Sequence, residues 1–392
     1  MNDFFPISYW AGPPVYEDDR YAEVADCGFT VAPIMVKDAV EGQRALDMLQ
    51  RHHLKAAVVD PRIHRNMVFQ EGWQDVIRQV VRDYADHPAV YAYFITDEPS
   101  CCHFESLAKI THEFLRLDPQ HIPYINLFPS YASHDQLGAL EYSHYIRRFL
   151  EMVKPPLLSY DHYALFEDGI NRPSYFYDLS VNRSESLKAG VPFWNIILST
   201  PHFNYRDPSA EDLRWQVYTS LAYGAKGLGY FTYWTPDVEN YRNGIIGVGG
   251  DRTEKYAIVR QLNREIRQLS PYLLSLRSTK VTHTPDAPAG NMPLSGEGMV
   301  LLAEGGEFVV GEFEDTEGLP WIMLVNRNYC HSAFVTLKLK TGLRHIHEVS
   351  RLTGDLREIA RDQSVNAGMV YEDGLVVRFW LAPADAKLMR LS

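Results

Sequence analysis

The chain has 392 residues, 46% hydrophobic and 22% charged, the balance of a folded protein with room for more than one ordinary domain. Its formal charge of -12 argues against a nucleic-acid partner or an anionic membrane surface, since neither attracts an acidic chain. Cys27, Cys101, Cys102 and Cys330 are too few and too scattered for a disulfide scaffold, and their spacing suits no zinc site. No apolar run approaches membrane-spanning length, and Met1-Asn2-Asp3-Phe4-Phe5 lacks the basic start of a secretory signal. The expectation is a soluble chain, either cytoplasmic or secreted with its signal peptide already absent.

In chain order, apolar strand-like runs alternate with amphipathic helical stretches. Phe4–Ala11 is the first strand, followed by a short helix over Arg20–Cys27. Phe29–Val36 precedes a helix over Glu41–Leu54, and Lys55–Asp60 precedes one over Trp73–Asp86. Val90–Thr96, Tyr124–Phe128 and Pro156–Asp161 follow as strands, with helices over His103–Leu117, Tyr142–Val153 and Tyr175–Ala189. Phe193–Ser199 and Gly227–Trp234 complete eight strands, each again followed by a helix (Glu211–Tyr223, Thr253–Leu276). Eight strict strand–helix repeats predict a (β/α)8 TIM barrel over residues 1–276. A doubly wound open sheet has the same alternation, but Ala11-Gly-Pro-Pro14 after the first strand lacks the glycine fingerprint of a pyrophosphate cradle.

Beyond residue 277 the helical period disappears. Gly298–Asp315, Pro320–Asn326, Ala333–Lys340, His345–Leu352 and Gly374–Leu381 read as antiparallel strands. Glu304-Gly-Gly306 and Thr353-Gly-Asp355 read as hairpin-type turns between them. Residues 277–392 are therefore expected to form a small C-terminal antiparallel β-sandwich.

In a barrel the C-terminal strand ends converge on one pocket. The most informative is Val90-Tyr-Ala-Tyr-Phe-Ile-Thr-Asp-Glu-Pro99, an aromatic and β-branched strand that stops at two adjacent carboxylates. Strand alternation allows only one of Asp97 and Glu98 to face the pocket unless the strand has already ended. The other strand ends contribute Tyr9, Trp10, Asp60, Arg62, Asn126, Asp161, His162, Tyr163, His202, Tyr233 and Trp234. Hydrogen-bonding groups with aromatic rings suit a sugar, whose hydroxyls need donors and acceptors and whose ring faces stack. Hydrolysing a glycosidic bond needs two carboxyl groups. Glu98 is the candidate general acid, its proton held by repulsion from Asp97, and Asp161 the candidate second carboxylate. A separation of about 5–5.5 Å between them implies retention and about 6.5–9.5 Å inversion, and the short aspartate favours the wider gap. Structural roles compete for several of these residues: Asp97 pairing with Arg62, Asp60 and Arg62 pairing with each other, and one of Tyr233 and Trp234 in the core. No metal-ligand cluster or cofactor motif stands out, so neither is expected.

Two motifs resemble the clan A glycoside hydrolases, particularly the family 42 β-galactosidase type. They are Asp97-Glu98-Pro99 and Leu221-Ala-Tyr-Gly-Ala-Lys-Gly-Leu-Gly-Tyr-Phe-Thr-Tyr-Trp234, the latter leading into the eighth strand. The resemblance implies a barrel hydrolase acting on an oligosaccharide or polysaccharide, with Glu98 as acid/base. It departs from that pattern at Asp97, where an asparagine is usual. It departs again at Leu198-Ser-Thr-Pro-His202, where the seventh strand ends without the expected nucleophilic glutamate. The second departure leaves three possibilities: a second carboxylate from elsewhere, a strand count off by one, or a carbohydrate-binding protein on an inactive barrel.

Overall fold

A computed structural model describes residues 4–359 and 375–392. Eight strands form one parallel sheet: β1 (Ile7–Trp10), β2 (Val31–Met35), β3 (Lys55–Val59), β4 (Val90–Asp97), β5 (Ile122–Leu127), β6 (Leu158–Asp161), β7 (Phe193–Leu198) and β8 (Gly227–Phe231). Between and after them run α1 (Asp18–Asp26), α2 (Ala39–Arg51), α3 (Trp73–Tyr84), α4 (Phe104–Leu117), the short α5 (His134–Leu137), α6 (Tyr142–Val153), α7 (Tyr175–Ala189), α8 (Ala210–Ala222) and α9 (Glu254–Ser275). The order β1-β8-β7-β6-β5-β4-β3-β2 brings the last strand beside the first. At the β1–β2 seam the Thr30 amide donates to the Ile7 carbonyl at 2.9 Å, and the Ile7 amide donates to Thr30 Oγ1 at 2.8 Å. The chain is a (β/α)8 barrel followed by antiparallel sheets, as the alternation requires.

Glycine parity shows which face of β8 points inward. A side chain at Gly227 would collide with Trp194 and one at Gly229 with Ile196, so these glycines and Phe231 share the interior face. Tyr230 points the other way and donates to Asn263 Oδ1 on α9 at 2.9 Å.

The remaining strands are β9 (Arg277–Thr284), β10 (Val300–Glu304), β11 (Phe308–Glu314), β12 (Pro320–Asn326), β13 (Ala333–Leu339), β14 (Ile346–Val349), β15 (Leu356–Glu358), β16 (Val376–Leu381) and β17 (Ala386–Leu391). They make a six-stranded sheet, β15-β14-β17-β12-β11-β9, and a three-stranded sheet, β10-β13-β16. Phe308, Val310, Ile322 and Leu324 pack toward the small sheet, while Val309, Phe313, Trp321 and Met323 join the barrel core. Burial on both faces explains why β11 and β12 are nearly continuous apolar runs. Gly311 lies so close to the Ala222 carbonyl of α8 that no side chain fits.

Two expectations are corrected. Glu304-Gly-Gly306 is no hairpin, because β10 and β11 belong to different sheets and the turn carries the chain from one to the other. The edge strand β9 and the strand β17 were not anticipated, since β9 carries mostly polar threonines and charges. Thr353-Gly-Asp355 does join the antiparallel pair β14–β15. Gly374, the start of one expected strand, lies outside the described residues.

Candidate active site

The site is built by three neighbouring strands. Phe94 opposes Tyr124 across the β4–β5 pair, their rings 5.8 Å apart, and both belong to the interior face. The register then shifts between Phe94 and Thr96, so that Asp97 opposes Asn126. A bulge of this kind reverses strand parity and re-aims the side chains beyond it. Asp97 therefore shares the interior face with Asn126, although simple alternation from Phe94 points it outward. Glu98 follows with φ +44°, in the left-handed region that a glutamate rarely enters, while its amide donates to the Asn126 carbonyl at 2.9 Å. The bulge and this turn let two adjacent carboxylates line one mouth.

Asn126 holds the cluster together. Its Nδ2 donates to Asp97 Oδ1 at 3.1 Å and to Asp161 Oδ1 at 2.9 Å. Its Oδ1 accepts from Ser159 Oγ at 2.9 Å, and Tyr124 stands behind, its hydroxyl 3.0 Å from the same Ser159 oxygen. Because its carbonyl end is engaged by Ser159, the amide can only present its NH2 to the two carboxylates.

No cation pairs with Asp97, Glu98 or Asp161 among the described residues. Burial, then the Asp97 charge, pushes Glu98 up to about 7, and Asp161 lies within hydrogen-bonding reach and pulls the other way. Burial raises Asp161 well above the carboxylate range, and the charges of Glu98 and Asp97 add to it. Asp97 is also raised by burial, against the pull of Asn126 and the Glu98 amide. It keeps solvent contact while protein surrounds it on most sides, the setting of a concave wall. Glu98 and Asp161 therefore titrate as a pair that retains a proton near neutrality.

Of the other expected residues, some border this mouth. Trp10 and Phe231 are paired at the ends of β1 and β8, both half-buried, and Trp10 packs edge-on against Phe94 at 5.5 Å. Tyr163 feels the charges of Asp161, Asp97 and Glu98 and packs against Phe231 at 5.1 Å. His202 lies beside Tyr163, stacked on Tyr241 at 5.0 Å. Its Nδ1–H donates to the Thr200 carbonyl, and burial lowers its pKa, so the ring is neutral with Nε2 as an acceptor.

Others are not brought to the mouth. Tyr9 and Tyr233 are fully buried against Phe29 in the layer between strands and helices: alternation along β1 turns Tyr9 outward, and Tyr233 lies beyond the end of β8, where strand parity no longer sets its direction. His162 is also fully buried and pairs with Asp178 at 2.7 Å. Trp234 is half-buried beneath the Arg20 guanidinium, 5.1 Å from its ring. Asp60 and Arg62 form a bidentate pair at 2.9 and 2.7 Å, joined by the Tyr84 hydroxyl and by Asp83. Arg62 thus serves Asp60 and Asp83, and the Asp97 partner is Asn126.

Three residues at the site escaped sequence reading. Phe231 was detectable from the Gly227-x-Gly229-x-Phe231 parity. Tyr131 and Arg172, whose guanidinium lies 3.7 Å over the Tyr131 ring, come from loops that carry no local signal. Among the described residues no group of three or more His, Cys, Asp or Glu is arranged to hold a metal ion.

The sequence matches no family model and no curated protein. Solved structures share its fold. A glycoside hydrolase family 5 protein from Bacteroides vulgatus is 11% identical, with a TM-score of 0.62 over 99% of this chain and 90% of its own. A family 27 β-L-arabinopyranosidase from Geobacillus stearothermophilus is 12% identical, with a TM-score of 0.55 over 100% of this chain and 97% of its own. A β-galactosidase from the psychrophilic Marinomonas ef1 is 11% identical, with a TM-score of 0.55 over 71% of this chain, which spans only 63% of that protein. At such identities the likeness is one of architecture: the chain has the fold of these glycoside hydrolases.

Proposed function

We propose that the chain is a glycoside hydrolase acting on a neutral oligosaccharide or polysaccharide, with Glu98 as general acid and Asp161 as the second carboxylate. The observation that carries this reading is the cation-free pair at the ends of β4 and β6, one member pushed up to about 7. Both carboxyls are raised and titrate together, so the pair keeps a proton near neutrality that can protonate a leaving oxygen, while the member that has lost its proton can stabilise or attack the anomeric carbon. Asp97, Asn126, Tyr163 and His202 then supply hydrogen bonds to sugar hydroxyls, with Trp10 and Phe231 as stacking faces. The strand ending at Leu198 is the seventh of the barrel, so a miscounted strand does not account for the missing glutamate there. That supports a second carboxylate drawn from β6.

The separation of the Glu98 and Asp161 carboxyls sets the outcome, about 5–5.5 Å giving retention and about 6.5–9.5 Å inversion, and the shorter aspartate favours the wider gap. The test is release of reducing ends from a panel of neutral oligosaccharides by the wild type and by Glu98→Gln. Equal release by both removes Glu98 as the acid, and NMR of the first-formed anomer reads the stereochemistry.

A second reading rests on the carboxylate-free β7 end, where Ser199 and Thr200 hydrogen-bond to Thr232. It is a carbohydrate-binding protein on an inactive barrel. Saturable sugar binding without any release of reducing ends selects it.

A further inference from the structure

At the opposite end of the barrel lies a second cavity, of about 730 Å³. It is bounded by the N-terminal starts of β4 to β8 and closed on one side by Leu274–Ser278, where α9 gives way to β9. That volume falls within the range that holds small molecules. Most of its wall is apolar, with Tyr91 and Trp194, stacked at 6.0 Å, among the lining rings. Its charged lining runs against the rest of the molecule. In a chain of net charge -12, the cavity is lined by Arg183, Lys226 and Arg277 and by no aspartate or glutamate.

Arg277 already has a partner in Glu314. Lys226 donates to the Leu273 and Leu276 carbonyls at the end of α9, and burial brings its pKa down to about 8. Arg183 is different. Its Nε donates to Ser278 Oγ at 2.8 Å, and no carboxylate pairs with it among the described residues. Burial disfavours its charge, and its interaction with Tyr223 only partly offsets that. A largely desolvated guanidinium with unused planar donors is matched by a carboxylate or phosphate, to which arginine binds bidentately.

We propose that this cavity binds a small organic anion with an apolar, preferably aromatic, body, its anionic group held by Arg183 and Lys226 and its body against the apolar wall near Trp194. The site is separate from the carboxylate mouth, which repels anions, and is independent of whether that mouth hydrolyses sugars.

The test is calorimetric titration of the full chain with 2-naphthoate and with its neutral counterpart 2-naphthamide. Naphthoate should bind about tenfold or more tightly than the amide, the difference a charge-assisted hydrogen bond makes. Arg183→Leu should remove that preference while leaving naphthamide affinity unchanged, and Arg183→Lys should restore most of it. Glu98→Gln should leave naphthoate binding intact, which locates the ligand away from the mouth. Equal affinity for the two compounds, or a preference that survives Arg183→Leu, overturns the proposal. Loss of naphthoate binding in Glu98→Gln overturns it as well. The charge-conserving Arg183→Lys variant keeps the outcome decisive even where Arg183→Leu folds poorly.

Discussion

Strand ends of one barrel hold carboxylates in opposite states. Just beyond β3, burial works against the Asp60 charge, but the Arg62 guanidinium and amide and the Tyr84 hydroxyl outweigh it and hold the carboxyl below its ordinary value. At the ends of β4 and β6, Asp97, Glu98 and Asp161 are raised by burial, and only the Asn126 amide, backbone donors and the carboxyls' own hydrogen bonding answer them. The residue types are the same and the positions equivalent. What differs is one arginine. With it, a buried carboxylate is a charged strut tying the strand end to α3; without it, neighbouring carboxyls repel one another and keep protons. Uncompensated charge of this kind costs stability, and such sites are where function concentrates.

The largest effect should come from removing the acid. Glu98→Gln should reduce glycoside turnover about 10²–10⁴-fold, the usual contribution of general acid catalysis, while circular dichroism shows an unchanged fold. The counterpart at β3 should lose stability and keep activity. Arg62→Met strands the Asp60 charge and should cost roughly 2 kcal/mol in urea unfolding, below the figure for a fully buried pair because Arg62 is partly exposed. Adding Asp60→Asn to it should recover most of that loss, and a double variant as unstable as the single one breaks the comparison.

The two clusters should also bend stability with pH in opposite senses. Glu98 has a raised folded pKa, so its contribution is full below the ordinary carboxylate range and is lost as pH rises through about 7. Asp60 has a lowered one, so its contribution is present above that range and is lost as pH falls through the folded value. Urea midpoints of the wild type should therefore decline between pH 5 and pH 8, and Glu98→Gln should flatten that decline. A slope unchanged by the substitution would locate the titration elsewhere.

The smallest effect is expected from Asp97→Asn. It removes the second contributor to the raised Glu98 pKa and leaves burial, the larger one, in place. The alkaline limb of kcat/KM should move to lower pH with a modest change at its maximum. An immobile limb would mean that Asp97 does not act on the acid.

Much of this was legible in sequence. The eight-fold alternation, the strand ending at Asp97-Glu98-Pro99 and Asp161 at the end of β6 all follow from local patterns. So did the suspicion that Asp60 and Arg62 satisfy each other, because they lie two residues apart across a proline. Tyr9 and His162 stand at strand ends but on the outward parity, and Tyr233 follows the end of β8, where the chain has left the alternation, so position at a strand end does not by itself bring a residue to the mouth. The edge strand β9 went unrecognised because a half-exposed strand rich in threonine and charge carries little hydrophobic alternation.

The sequence by itself determined which elements form and which residues stand at their ends, since periodicity and strand termination act within a few residues of chain. Only the tertiary structure decided which of those residues meet. The bulge before Asp97 exists relative to Asn126 on a neighbouring strand, and the positive φ of Glu98 accompanies a bond from its amide to the same asparagine. Whether a carboxylate is charged depends on the partner it finds across the barrel: Arg62 for Asp60, Asn126 for Asp97 and Asp161. Register and burial are set by packing between distant segments, so no local pattern encodes them.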